Sequence, residues 1–168
     1  MNMTYWFTGL PCSGKTSICK EILKAVKLQI VHLDGDEMRK GLCSDLGFSD
    51  EDRKENIRRI AEVCKVLNDA DMTVIASFVS PTDDIRQIYQ EIVPNITTIY
   101  VECPLKLCKT RDVKGMYRKA YEGLIDNFTG MQAPYENPEA DFVIKGYGNI
   151  KAEVHLLLAK ISQRNWSL

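Results

Sequence analysis

The chain has 168 residues and a mass of 19.1 kDa, enough for one domain with a real core. Apolar residues make up 45% and charged residues 27%, an ordinary soluble composition that excludes disordered and fibrous classes. The net charge is −1 with both signs interspersed and no Lys/Arg block, so a long nucleic-acid footprint is excluded and any basic site is local.

The start, "MNMTYWF", has no charged n-region, and no apolar stretch approaches the ~18 residues of a membrane span. A cytoplasmic protein without membrane partners is expected. Residues 3 to 9 ("MTYWFTG") read as a first strand, and the glycine-rich run "TGLPCSGKTS" follows, opening a helix over 15 to 27. A second strand, "QIVHLD" (29 to 34), leads into "LDGDEMRKG". The helix over 50 to 69 places Ile57, Ile60, Ala61, Cys64 and Leu67 on one face, with Ser49 as its N-cap. A third strand (72 to 78) precedes a helix over 84 to 92 that stops before Pro94. A fourth strand (97 to 102) precedes a helix beginning near Pro104, where proline suits the first turn. A last strand, "DFVI" (141 to 144), and a last helix (149 to 163) with Val154, Leu157, Leu158 and Ile161 on one stripe complete the chain.

Strands alternating with helices imply parallel pairing, and their unbroken apolar runs imply burial on both faces. The expected fold is therefore α/β: a single domain over 1 to 168, three layers (α/β/α) around a mainly parallel sheet of about five strands. Six cysteines (Cys12, Cys19, Cys43, Cys64, Cys103, Cys108) without a C-x-x-C pair, and only two histidines, give little support to a zinc site. Reduced, mostly buried thiols are expected, with Cys12 and Cys43 beside the candidate site.

Gly9, Gly14, Lys15 and Thr16 fit G-x-x-x-x-G-K-[ST], with a strand before and a helix after as a phosphate loop requires. Such a loop, here Gly9, Leu10, Pro11, Cys12, Ser13, Gly14, Lys15, Thr16 and Ser17, turns backbone N–H groups and a helix N-terminus toward phosphates. Lys15 then reaches the β- and γ-phosphates, and the Thr16 hydroxyl ligates Mg²⁺. Such a loop binds a nucleotide with Mg²⁺ without naming the reaction: a switch GTPase, a small-molecule kinase using ATP and a binding module without chemistry compete. A switch GTPase is disfavoured, since no N-K-x-D occurs and the one D-x-x-G match, "DVKG" at 112 to 115, follows the fourth strand. Small kinases place acid at the end of the second strand and a basic lid late in the chain, and both features are present, so ATP with Mg²⁺ is the expected donor and cofactor.

Asp34 and Asp36 leave the second strand at its carboxyl end, where open α/β sheets collect ligands. Two such carboxylates hold Mg²⁺ through water or accept the proton of an attacking hydroxyl; Asp36 is the expected base and a water-mediated metal ligand. An Asp-Gly turn whose aspartate caps the next helix is the plain alternative.

From "WFTGLPCSGKTS" through "LDGDEMRKGL", "DLGFSDEDRKENIRRIAEVCK", "IASFVSP", "RDVKGMYRKA" and "NFTG" to "PYENP", the sequence resembles the adenylylsulfate (APS) kinases, which phosphorylate the ribose 3′-hydroxyl of adenosine 5′-phosphosulfate. The resemblance implies that Phe48 and Phe128 sandwich the acceptor base. Arg39, Arg53 and Asn56 would hold its anionic tail and ribose, the backbone at Val79 and Ser80 would line the pocket, and Lys114 would reach in from a lid over about 111 to 130. Arg111, Lys114, Arg118 and Lys119 give that lid charge enough to stabilise a transferring phosphoryl group, and it is expected to be mobile until ATP binds. A homodimer is what the resemblance suggests. Taken singly, Phe48 and Phe128 read as core anchors, Arg53 and Asn56 as a solvated helix face; their joint order favours the site.

Four departures concern the acceptor. Pro81 is followed by "TDDIRQ" where APS kinases commonly have an aromatic and a basic residue, so a cationic contact is missing or comes from Arg86. "DVKG" replaces Asp-Pro-Lys-Gly, Glu37 stands where Asn is frequent, and the amino-terminal extension that many members carry ahead of the first strand is not expected. Because stacking reads a π-face and not a particular base, cytidine diphosphoramidate is an alternative acceptor, and a nucleotide-binding module without chemistry a more distant one.

Overall fold

The computed structural model describes residues 3–163. Five strands, β1 (Thr4–Thr8), β2 (Ile30–Asp34), β3 (Thr73–Ser77), β4 (Ile96–Glu102) and β5 (Phe142–Lys145), pair in parallel in the order β2-β3-β1-β4-β5. Seven helices accompany them: α1 (Lys15–Ala25), α2 (Gly35–Met38), α3 (Asp50–Asp69), α4 (Asp83–Ile92), α5 (Leu105–Arg111), α6 (Met116–Tyr121) and α7 (Ile150–Gln163). The strands and long helices fall where the apolar periodicity puts them, within two residues at most ends. The short α2 and α6 are additions: four and six residues give too little periodicity to read.

Central β1 explains the three layers. All five of its residues are buried, alternating between two cores. Tyr5 and Phe7 pack with Ile18 and Ile22 of α1 and with Val154, Leu157 and Ile161 of α7. Trp6 faces the opposite layer, against Ile57, Ile60, Ala61 and Cys64 of α3 and Tyr89 of α4. Its ring stacks on Tyr89 at 4.2 Å between centroids, and its indole N–H donates to Ser80 Oγ at 3.0 Å, giving a buried aromatic its polar partner. α3 starts as expected: Ser49 Oγ accepts from the Asp52 N–H at 3.1 Å, and Asp50, Glu51 and Asp52 complement the helix dipole.

A third, smaller cluster lies under the lid segment. Cys103, Cys108, Tyr117, Ala120 and Phe128 are buried together, with Leu10 and Cys12 of the phosphate loop packed against them. All six cysteines are free thiols. Cys43 is buried in the α3 core rather than open to the site, because the turns after α2 fold its side chain inward. Among the described residues no helix is long and apolar enough to cross a membrane.

The loop after β5 closes directly on the phosphate loop. A Cβ placed on Gly146 would lie 1.8 Å from the Ser13 carbonyl oxygen, and Gly14, at φ 104°, has the Gly146 carbonyl 3.0 Å from its own Cβ position. Two glycines thus let two backbones touch. Gly146→Ala forces them apart, and we expect a loss of about 2 kcal/mol or more in urea unfolding. A change within about 0.5 kcal/mol would show that the contact is dispensable.

Candidate active site

The site is built at the carboxyl ends of β1, β2 and β3. The loop between β1 and α1 turns back through Cys12, at φ 60°, and Gly14, with the Ser13 N–H bonded to the Leu10 carbonyl at 3.1 Å. α1 then begins without a side-chain cap and without an acidic residue in its first turn. Its N-terminal donors and dipole are therefore not neutralised by the protein's own acids, as an anion site requires. Lys15 Nζ donates to the Gly9 and Leu10 carbonyls at 2.8 Å each, and burial pushes its ammonium down to about 8. Ser13 Oγ is fully buried with no hydrogen-bond partner among the described residues, while Ser17 is exposed on α1.

Asp34 is the node beside this loop. Its Oδ2 accepts from Thr16 Oγ1 at 2.7 Å and from Ser77 Oγ at 3.0 Å, and its Oδ1 accepts from the Asp36 N–H at 3.0 Å. Burial raises this carboxyl, but those three donors outweigh it and hold Asp34 below the usual carboxylate range. Asp34 is thus also the N-cap of α2: the plain capping role and the loop contact belong to one side chain. The cap starts the short helix that sets Asp36 outward, exposed at the mouth of the loop, where Lys114 of the lid pairs with its Oδ2.

The side expected to hold the acceptor is braced by arginines. Arg39 donates to the Leu46 and Gly47 carbonyls and stacks its guanidinium 4.5 Å from the Phe48 ring centre. Arg53 donates to the Phe48 carbonyl, to Thr129 Oγ1 at 2.7 Å and to the Asn127 carbonyl; Asn127 in turn donates to the Phe48 carbonyl at 3.1 Å. These bonds stitch the segments bearing Phe48 and Phe128 together. The two rings differ in role, however. Phe48 is 37% exposed with guanidinium groups over it, whereas Phe128 is 5% exposed and meets Tyr117 edge-on at 5.0 Å. Asn56, one helical turn from Arg53, is buried with its Oδ1 unpartnered among the described residues.

Val79 and Ser80 are held from below. Thr8 Oγ1 donates to the Val79 carbonyl at 2.6 Å, and Ser80 adopts φ 40°, a strained value for a non-glycine residue. Arg86 does not supply the cation missing after Pro81. It is 3% exposed and donates to the Ser80 and Pro81 carbonyls at 3.0 Å, to Asp83 at 2.6 Å and to the Glu136 carbonyl, with Tyr135 over its guanidinium. Its fork satisfies the carbonyls of an irregular loop and is not available to an acceptor.

The lid segment is tied to the phosphate loop. Tyr117 of α6 donates through its hydroxyl to the Pro11 carbonyl at 3.0 Å, and Arg111 donates to the Cys12 carbonyl at 3.2 Å and the Gly146 carbonyl at 2.8 Å. Asp112, at φ 23°, accepts from the Tyr117 and Arg118 N–H groups and so starts α6. Sequence reasoning missed Tyr117, Tyr135, Arg86 as a brace and His32, whose partners lie on other elements. Only their place inside the quoted blocks "RDVKGMYRKA" and "PYENP" marks Tyr117 and Tyr135 in the sequence.

The donor set suits a cation brought in with a nucleotide. Among the described residues no three His, Cys, Asp or Glu side chains gather as a metal site, so Mg²⁺ there needs phosphate and water oxygens for most of its shell, its usual preference. Thr16 spends its one hydrogen on Asp34, which leaves its oxygen lone pairs for a metal.

Sequence and fold place the chain among known proteins. A sequence model described as adenylylsulphate kinase matches residues 1–145. An adenylyl-sulfate kinase from Thermodesulfovibrio yellowstonii is 50% identical over 142 residues, covering 80% of this chain and 70% of that protein. One from Klebsiella pneumoniae is 44% identical over 164 residues, covering 94% and 82%. In structure, the Mycobacterium tuberculosis APS kinase CysC, solved in complex with AMPPNP and APS, superposes with a TM-score of 0.90 at 32% identity, over 96% of this chain and 98% of that one. With that model matched over residues 1–145 and relatives at 44–50% identity, the chain belongs to the adenylylsulphate kinase family.

Proposed function

We propose that the protein transfers the γ-phosphoryl group of ATP to the ribose 3′-hydroxyl of adenosine 5′-phosphosulfate. The observation that carries this reading is the node at Asp34, which holds Thr16 of the phosphate loop and sets Asp36 beside it. Two further supports are the unpartnered Asn56 Oδ1 in the braced pocket and the M. tuberculosis neighbour, itself a complex with AMPPNP and APS.

Each residue has a derived task in this reading. The loop backbone and α1 N-terminus bind the triphosphate, and Lys15 turns its ammonium from the Gly9 and Leu10 carbonyls to the phosphate oxygens. Arg53, Asn56 and Phe48 orient the acceptor, with Phe128 supporting its segment from the lid core. Asp36 accepts the hydroxyl proton as the 3′-oxygen bonds to the γ-phosphorus and the bond to the β–γ bridging oxygen breaks; ADP leaves with that oxygen. Thr16 and Asp36 would hold Mg²⁺, which would supply charge neutralisation at the phosphates. Arg111, Lys114, Arg118 and Lys119 shield the charge that remains.

The alternative acceptor, cytidine diphosphoramidate, gains no support from the Arg86 guanidinium, which is spent on the Ser80 and Pro81 carbonyls. The relatives found are adenylyl-sulfate kinases and favour the first acceptor.

A coupled ADP-release assay with both acceptors at low micromolar concentration decides between them. Faster turnover of adenosine 5′-phosphosulfate is expected; a preference for the cytidine compound, or no turnover of either, would overturn the reading. Asp36→Ala should lower kcat by about 10²-fold or more while leaving ATP affinity largely intact, and an unimpaired variant would remove Asp36 from its role. Phe48→Ala should raise the acceptor KM several-fold with little loss of thermal stability, as its exposure implies; an unchanged KM would make the ring structural.

The lowered Lys15 ammonium gives a pH test. At pH 9 it is mostly neutral in the free protein, and phosphate oxygens restore its charge. Mg-ATP binding at pH 9 should therefore take up a proton, by titration calorimetry in buffers of different ionisation enthalpy, and the uptake should fade toward pH 7. Buffer-independent heats at pH 9 would refute the shift.

A further inference from the structure

His32 takes no part in the mechanism above, and its partner is unexpected for a residue in an apolar strand. It lies on β2 two residues before Asp34, on the sheet face where Ile30 packs toward α1. Its Nε2 is 3.1 Å from Ser77 Oγ on the neighbouring β3, and Ser77 Oγ donates to Asp34 Oδ2, which also accepts from Thr16. We propose that His32 is a positioning residue for the phosphate loop, acting through Ser77 and Asp34 to fix the direction of the Thr16 hydroxyl. The inference rests on the proposed phosphoryl transfer for its consequence, but not for its geometry.

The polarity of the chain follows from hydrogen counting. An ionised carboxylate only accepts, so Ser77 and Thr16 must each spend their single hydroxyl hydrogen on Asp34. Ser77 then faces His32 with lone pairs alone, and His32 must present an N–H from Nε2. Its neutral tautomer is thereby assigned: Nε2 protonated, Nδ1 bare. Burial keeps the imidazole below its ordinary range despite the nearby Asp34, with Lys20 of α1 acting in the same direction as burial. A neutral donor at one end and Thr16 at the other leave the Asp34 carboxylate one orientation. The Thr16 oxygen is then turned with its lone pairs away from Asp34, ready for a cation. Outer partners of this kind set the aim of the groups they hold and typically matter tenfold or more when removed.

The parallel register makes the relay possible. Asp34 stands opposite Ser77 in the β2–β3 ladder, and His32 stands opposite Ile75, so the serine hydroxyl reaches both the histidine and the aspartate. The arrangement needs no loop and is set by the sheet itself.

Two measurements test it. The first is the imidazole ¹⁵N spectrum of the intact protein, in which two histidines occur and His155→Gln assigns His32. The Nε2–H tautomer is expected for His32, shifting toward a mixture in Ser77→Ala; the Nδ1–H tautomer, or no response to Ser77→Ala, would overturn the chain. This readout is independent of turnover, so it stands or falls apart from the proposed reaction. The second is kinetic. His32→Leu should reduce kcat/KM for ATP about five- to tenfold and raise the Mg²⁺ concentration for half-maximal rate, with the acceptor KM unchanged. His32→Gln, which keeps an N–H at the same reach, should recover most of the loss. Equal defects in the Leu and Gln variants, or an effect confined to thermal stability, would reduce His32 to packing.

Discussion

Everything at this site hangs on the carboxylate of Asp34. Three donors converge on it from three different elements: Thr16 from the phosphate-loop helix, Ser77 from β3 and the Asp36 N–H from α2. A half-buried carboxylate is costly unless its lone pairs are filled, so each donor stabilises a charge that in turn fixes the donor's place. The consequence is a rigid joint between the loop that holds a nucleotide and the short helix that presents Asp36. Because the joint stands at the end of a parallel pair, the sheet register transmits its position without any loop flexibility.

Arginine does a comparable job for the irregular segments around it. Long loops cannot satisfy their own carbonyls, and buried carbonyls without donors are destabilising by roughly 1–3 kcal/mol each. Here Arg39, Arg53, Arg86 and Arg111 donate to nine backbone carbonyls of the site loops with their planar forks. The choice has a chemical side effect. A guanidinium committed to carbonyls loses none of its charge, so a braced pocket is also a positively charged one, fit for an anionic tail. Arg86 is the exception, since its burial beneath Tyr135 leaves it structural.

The sequence makes the sheet and the phosphate loop readable for physical reasons. Strands buried on both faces must be continuous apolar runs, and the phosphate loop needs glycine at its most extreme turn, Gly14 at φ 104°, whereas Cys12 at φ 60° shows that a milder left-handed turn does not. α2 and α6 are unreadable because they are made by caps, Asp34 and Asp112, and not by an apolar stripe. The order of Arg39, Phe48, Arg53 and Asn56 is legible only through family resemblance, and the structure sets them along one wall without assigning what they hold. Arg86 reads in the sequence as a replacement cationic contact because its partners, Ser80, Pro81 and Glu136, come together only in three dimensions. His32 is hidden in the same way, a polar residue inside an apolar run whose partner lies 45 residues along the chain.

The lid contact shows how such a site can be both well made and readily rearranged. Lys114 pairs with Asp36, yet the two side chains are 52% and 57% exposed, so water screens the attraction. Their neighbours are held much more firmly: Asp34 by three donors, Tyr117 by its bond to Pro11 and its packing on Phe128. The strong contacts therefore lie at the base of the lid and beneath α2, and the weak one lies between two solvated groups at the mouth. In the proposed transfer an incoming hydroxyl would have only a solvated ion pair to displace, while the joint beneath Asp36 stays intact. Strength placed below and weakness placed at the mouth is what an exchange of ligands at a fixed geometry requires.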